Sequence, residues 1–117
     1  MKLMYLTNLG NSFRAHFKQF GEINDIEQAV LRHRNAVHLT PDGHSKKSCR
    51  LSNLGLSFIA CFNRLGELVD LEAVISNHKD AVHLGSDTHP HQYHHLNNLS
   101  SAFSARFSRL GNLDDLE

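Results

Sequence analysis

Apolar side chains recur along this chain at intervals of three, four and seven. Leu51, Leu54, Gly55, Phe58, Phe62 and Leu65 fall on one stripe when the backbone is wound at 3.6 residues per turn. The pattern predicts an amphipathic helix. Gly66 follows it at once, as Gly21 and Gly111 follow equivalent stripes, and glycine is the residue that accepts the left-handed conformation closing a helix. Each of these helices is therefore expected to stop at its glycine. A second helix is expected from about Asn24 to Leu39 and again from about Asp70 to Leu84, each opening on acidic residues suited to the positive end of a helix dipole. Asn24 with Glu27, and Asp114 with Glu117, have capping-box spacing, whereas Val69 at the matching place between them demands another cap. TPDGHS from Thr40 and GSDTHP from Gly85 supply turn chemistry between the helix pairs.

The stripes belong to a repeat. LTNLGNSFRAHFKQFGEINDIE from Leu6 returns as LSNLGLSFIACFNRLGELVDLE from Leu51 and as LNNLSSAFSARFSRLGNLDDLE from Leu96, a period of 45 residues. A fixed period of this length marks a stacked array in which each unit leans its apolar face on the next. The third copy reaches Glu117 as its second helix would begin, giving two and a half units and leaving Phe107, Leu110, Leu113 and Leu116 as an apolar patch. Because about three repeats are the usual minimum, the chain is expected to be marginally stable alone or to self-associate through an open end.

With Leu54, Phe58 and Phe62 as the buried stripe, Asn53 points roughly 150° from its centre, since each helical residue advances about 100°. The same asparagine appears as Asn8 and Asn98, while its neighbour varies as Thr7, Ser52 and Asn97. One turn along, Ser12, Ser57 and Ala102, then Ala15, Ala60 and Ala105, are placed on nearly the same outward line. Small side chains there leave room for a ligand.

The order Leu6-x2-Leu9-Gly10-x2-Phe13, then Ala29-x3-His33, then Pro41, resembles the tetratricopeptide repeat. His33 and His78 stand where that family places an aromatic residue in its second helix. Compared with the usual unit of about 34 residues, about seven are added between Phe13 and Ala29 and about four in the loop before Leu51. Seven is nearly two helical turns, so the buried face stays in phase. The length and the phrase NLG are similar to the longer units of kinesin light chains and of fungal signalling proteins. The resemblance implies an all-α fold, an α-solenoid of antiparallel helix pairs in a right-handed superhelix, with units at about 3–44 and 48–89 and a first helix only at about 91–117. It also implies that the first helices line a concave groove in which Asn8, Asn53 and Asn98 form a ladder pairing with the backbone of an extended peptide. A carboxamide suits this role because it donates and accepts together. Specificity would come from residues that differ between copies, Asn11, Arg14 and Lys18 against Leu56, Ile59 and Asn63. The basic clamp of some family members is only partly represented, by Arg14, Lys18 and Arg106.

Twelve basic and twelve acidic residues cancel, so nothing drives the counterion release of nucleic-acid binding. No stretch approaches the roughly 18 apolar residues of a spanning helix, and MKLMYLTNLG lacks the apolar run of a secretory signal. The chain reads as cytoplasmic, with Cys49 and Cys61 inside one predicted helix and reduced. Of ten histidines, six form repeat-related pairs: His33 with His78, His38 with His83, and His44 with His89. His33 and His78 are expected to be partly buried packing residues. In HPHQYHH, His91 and His95 at i and i+4 are weak candidates for zinc or nickel, exposed and without the glutamate of a HExxH motif. No phosphate loop, nucleophile elbow or paired acid and base is found, and Asp25 with Glu27, Asp70 with Glu72 and Asp115 with Glu117 fall at helix entrances. The reading is a scaffold without cofactor or catalysis that binds a protein or peptide. An oligomerisation module or a fragment of a longer array is the alternative, and histidine-cluster metal binding stands third.

Overall fold

The stripes wind into five helices: α1 (Lys2–Phe20), α2 (Ile23–His38), α3 (Lys47–Leu65), α4 (Leu68–Leu84) and α5 (Gln92–Asp115). The computed structural model describes residues 2–84 and 92–115, and among these all regular structure is helical. The turn at GSDTHP falls outside the described residues. None of the described helices is long and apolar enough to cross a membrane.

Gly21 and Gly66 close α1 and α3 as expected. Their φ angles are +72° and +74°, and each amide donates back into the helix, to the Phe17 and Phe62 carbonyls at 2.7 Å. Two residues separate each first helix from its second, so α1 and α2, like α3 and α4, fold as hairpins. Gly111 does not repeat this. It lies inside α5, which continues to Asp115. Glycine permits the left-handed turn without compelling it; at Gly21 and Gly66 the turn is rewarded by a helix folding back, while residues 112–115 prolong α5.

The capping box expected at Asn24 and Glu27 is also absent. Glu22, in extended conformation immediately after the glycine turn, is the N-cap of α2 and makes no side-chain cap bond. Helix formation thus begins at Ile23, one residue early, and leaves Asn24 inside the first turn, where it cannot cap. By the same geometry α4 begins at Leu68, two residues before Asp70. The matching pair Asp114 and Glu117 lies outside the described side chains.

The connection from α2 to α3 is held by residues that carry no repeat signal. Lys47 Nζ donates to the Val37 carbonyl at 2.8 Å and to the Thr40 carbonyl at 2.7 Å, a cation placed on the negative end of α2. Arg50 donates to Thr40 Oγ1 at 2.9 Å, and that hydroxyl donates to the Ala36 carbonyl at 2.7 Å. Lys47→Met should keep the buried methylene stem and lose both charged hydrogen bonds. The expected cost is about 2 kcal/mol, measured as a lower urea midpoint; an unchanged midpoint would show that the lysine caps nothing.

Packing is sequential, α1 on α2, α2 on α3, α3 on α4 and α4 on α5, with α1 also reaching α3. The core is correspondingly divided. Phe17, Ile26 and Ala29 bury one cluster, Val37, Leu51, Leu54 and Ala81 a second, and Val74, Ile75 and Ala102 a third. Phe58 packs against the second and third, which joins consecutive units. The molecule measures 50 × 35 × 20 Å, and its least extent matches two helix layers. On α5, Phe107 is 82% exposed and Leu110 46% exposed, although Phe17, two periods before Phe107, is buried under α2. Leu113 and Leu116 lie outside the described side chains.

Candidate functional site

The odd-numbered helices are tied to each other by polar side chains. Arg14 Nη1 of α1 donates to the Asn53 carbonyl of α3 at 3.2 Å, and Asn98 Nδ2 of α5 donates to Ser52 Oγ of α3 at 3.2 Å. Between α3 and α5 runs a groove of about 520 Å³, with Asn53 and Asn98 on opposite walls and Ser52, Leu56 and Lys46 among its other residues. Leu56 and Asn98 also line an adjoining cavity of about 240 Å³ whose remaining wall includes Ile59, Val74, His78 and Ala102. Two of the three expected asparagines therefore face one space. Asn8 stands exposed on α1, outside the lining of that groove.

The expected line of small outward residues is broken at Ser57 and Ala102. Ser57 is fully buried, Ala102 is 2% exposed within the third core cluster, and Ala60 packs against the Phe17, Ile26 and Ala29 cluster. A position that looks outward on an isolated hairpin faces inward once α3 has α2 on one side and α4 on the other. The first unit shows the same positions uncovered. Ser12 and Ala15 are exposed, and Ser12 borders a hollow of about 280 Å³ with Leu9, Phe13, His16 and Asp25. Ala105 is half-buried and lines the 240 Å³ cavity.

Asn11 and Arg14 take part in a buried network that the sequence reading missed. Asn11 Oδ1 accepts from Arg14 at 3.4 Å and from His33 Nε2 at 2.9 Å, while Ser57 donates its hydroxyl to His33 Nδ1 at 2.7 Å. One neutral tautomer satisfies both ring nitrogens. His33 is 1% exposed, more deeply buried than expected, and desolvation lowers its pKa to about 4, helped by the Arg14 charge and opposed by the Thr7 backbone. Burial lowers the pKa of Arg14 as well. The available signal was the pairing of Asn11 with Ser57 in adjacent units, invisible until α1, α2 and α3 are brought together.

His78 sits equally deep, with a pKa lowered to about 4 by desolvation and by His95. Its ring lies over Gly55 as that of His33 lies over Gly10, and a Cβ at either glycine would approach the ring within 2.7 or 2.6 Å respectively. The two glycines thus let each second helix close onto its first. His78 Nδ1 is buried with no hydrogen-bond partner.

Other expected candidates are engaged elsewhere. Leu56, Ile59 and Asn63 all line the 240 Å³ cavity, so the residues that differ most from Asn11, Arg14 and Lys18 do share one surface. Arg106 pairs with Glu72 at 3.3 Å and lies over the Phe103 ring at 5.3 Å. Asp25 bonds His16, and the thiol of Cys61, at the matching place in the second unit, is pushed up to about 11 by burial and by Asp70, Glu67 and Glu27. Cys61 is therefore a poor nucleophile. His95 is 2% exposed rather than part of an exposed cluster, and His91 lies outside the described residues. Among the described residues no group of three or more histidine, cysteine, aspartate or glutamate side chains could hold a metal ion. The arrangement offers carboxamides, hydroxyls and apolar walls. No family model, curated protein or solved structure matches the chain.

Proposed function

We propose that this protein is a non-catalytic interaction scaffold, a tetratricopeptide-like α-solenoid of two and a half long units that holds an extended peptide against its first helices. The observation that carries this reading is the placement of Asn53 and Asn98 on facing walls of one groove. An extended peptide presents an N–H and a C=O at each residue, and two carboxamides held by separate rigid helices can answer both without regard to the peptide's sequence. Asn98 is already oriented by Ser52, which lowers the entropic cost of binding. Free Cys49 and Cys61 on α3 suit a reducing cytoplasm.

The test is selection of peptides from a random library by the intact chain, followed by titration of the selected peptide. The double variant Asn53→Ala with Asn98→Ala should weaken binding by about tenfold, the loss of roughly one net hydrogen bond at each site, with the thermal midpoint lowered by no more than the lost Asn98–Ser52 bond accounts for. Equal affinity in the double variant would remove the reading. A second reading, self-association, draws on Phe107 and Leu110 exposed along α5. Concentration-dependent sedimentation without peptide selection would favour it.

A further inference from the structure

His33 and His78 occupy equivalent places one period apart, yet they are treated differently. Both nitrogens of His33 are bonded, to Asn11 and Ser57, whereas Nδ1 of His78 has no partner. One period beyond Asn11 stands Leu56, and one period beyond Ser57 stands Ala102. The second unit has exchanged both partners for apolar side chains. Both replacements, and the His78 ring itself, line the 240 Å³ cavity.

A largely apolar cavity, with Asn63, Asn98 and Ser101 also on its wall, beside a buried ring with unmet hydrogen-bonding capacity is an incomplete environment. We propose that this cavity receives a phenolic ring, the side chain of a tyrosine in a bound peptide, with its hydroxyl meeting the His78 imidazole. The peptide part of this statement rests on the groove reading above; the affinity of the cavity for phenol does not.

Size, charge and hydrogen-bonding chemistry select this ligand. A cavity of about 150 Å³ lined by apolar side chains admits benzene, so this larger one has room for a ring with a hydroxyl. No charged side chain lines it, so an ionised group would be desolvated without a counter-charge. A hydroxyl both donates and accepts, and therefore suits either tautomer of a neutral imidazole, while an indole N–H only donates. A purely hydrocarbon ligand would fill the space and leave the nitrogen unmet. The entrance also fits, because Asn98 borders cavity and groove together, so a peptide lying across Asn53 and Asn98 can lower one side chain past Leu56.

The experiment is an NMR titration of the full chain with phenol and, separately, with toluene. Phenol should shift the His78 ring and Ala102 methyl signals saturably, leave His33 unmoved, and bind at least fivefold more tightly than toluene. Ala102→Ser combined with Leu56→Asn rebuilds the first unit's partners in the second and should abolish saturation by phenol. Ala102→Ser alone should weaken phenol binding severalfold and serves if the double variant does not fold. Equal binding of toluene and phenol overturns the proposal, as do unchanged phenol affinity in Ala102→Ser and a cavity occupied by water that neither ligand displaces. Tyrosine-containing peptides separate the two readings. Phenol binding without peptide binding defeats the groove and keeps the cavity; peptide binding indifferent to tyrosine or phenylalanine, with no phenol binding, defeats the cavity and keeps the groove.

Discussion

Gly10→Ala should destabilise the protein by about 3 kcal/mol, although alanine is the better helix former by about 1 kcal/mol. The added Cβ would lie 2.6 Å from both Cδ2 and Nε2 of His33, well inside van der Waals contact. A flexible side chain could move aside. This ring cannot, because Asn11 and Ser57 hold its two nitrogens from different helices and any displacement breaks at least one of those bonds. Overpacking and the lost bond together outweigh the propensity gain. Gly55→Ala meets His78 Cε1 at 2.7 Å, but that ring has an unpartnered nitrogen and a cavity beside it, so the expected loss is smaller, about 1–2 kcal/mol. Gly43→Ala is the control, since nothing lies within 4 Å of its added Cβ. The checks are urea midpoints of the three variants. Gly10→Ala as stable as the parent would show that the hairpin can open without cost, and a larger loss for Gly55→Ala would reverse the roles assigned to the two histidines.

These glycines illustrate what can be read from a sequence of this kind. The helices were legible because their stripes repeat with a constant period, and Gly21 and Gly66 were legible because a left-handed turn has few other candidates. Gly111 was misleading for a physical reason. A glycine reports permission to turn, and whether the chain turns depends on what packs behind it. The small residues failed in a related way. Angular position on a helix separates the two faces of one hairpin, but α3 is covered by both α2 and α4 and α5 packs on α4, so Ser57 and Ala102 were placed on a surface that the stack does not leave open. Asn53 and Asn98 escaped this error because they lie on the remaining side, where the odd helices meet one another across the groove.

The buried network was beyond the reach of a single-helix argument. Asn11, His33 and Ser57 come from three helices, and none has a local spacing that marks it as a partner of the others. Reading the repeat as a set of equivalent positions recovers the information afterwards. The substitutions of Leu56 for asparagine and Ala102 for serine then appear as one change, the removal of both partners from one imidazole. Divergence between copies is most informative where it alters a group that remains buried.

Acid should unfold the protein through the same two histidines. His33 and His78 have pKa values lowered from 6.5 to about 4 in the folded chain, in each case chiefly by desolvation, with Arg14 adding to the effect at His33 and His95 at His78. Above pH 6.5 both rings are neutral whether the chain is folded or not, so they contribute no pH dependence. As the pH falls below 6.5 the unfolded chain takes up protons that the folded chain refuses, and stability declines until the folded rings also protonate near pH 4. The loss is on the order of 3 kcal/mol for each histidine. Two such losses, about 6 kcal/mol together, bring the transition into the range between pH 5 and 4 for a domain near the lower end of the usual roughly 5–15 kcal/mol, the marginal stability expected of two and a half units. The measurement is the urea midpoint as a function of pH, with His78→Leu as the comparison. Replacing that ring with an apolar side chain removes one proton-linked site without stranding Asn11 or Ser57, and should roughly halve the decline between pH 6.5 and 4. A midpoint that stays constant over that interval would mean that the rings are solvated in the folded chain. The hydrogen-bonded core joining the first unit to the second would then have to be abandoned.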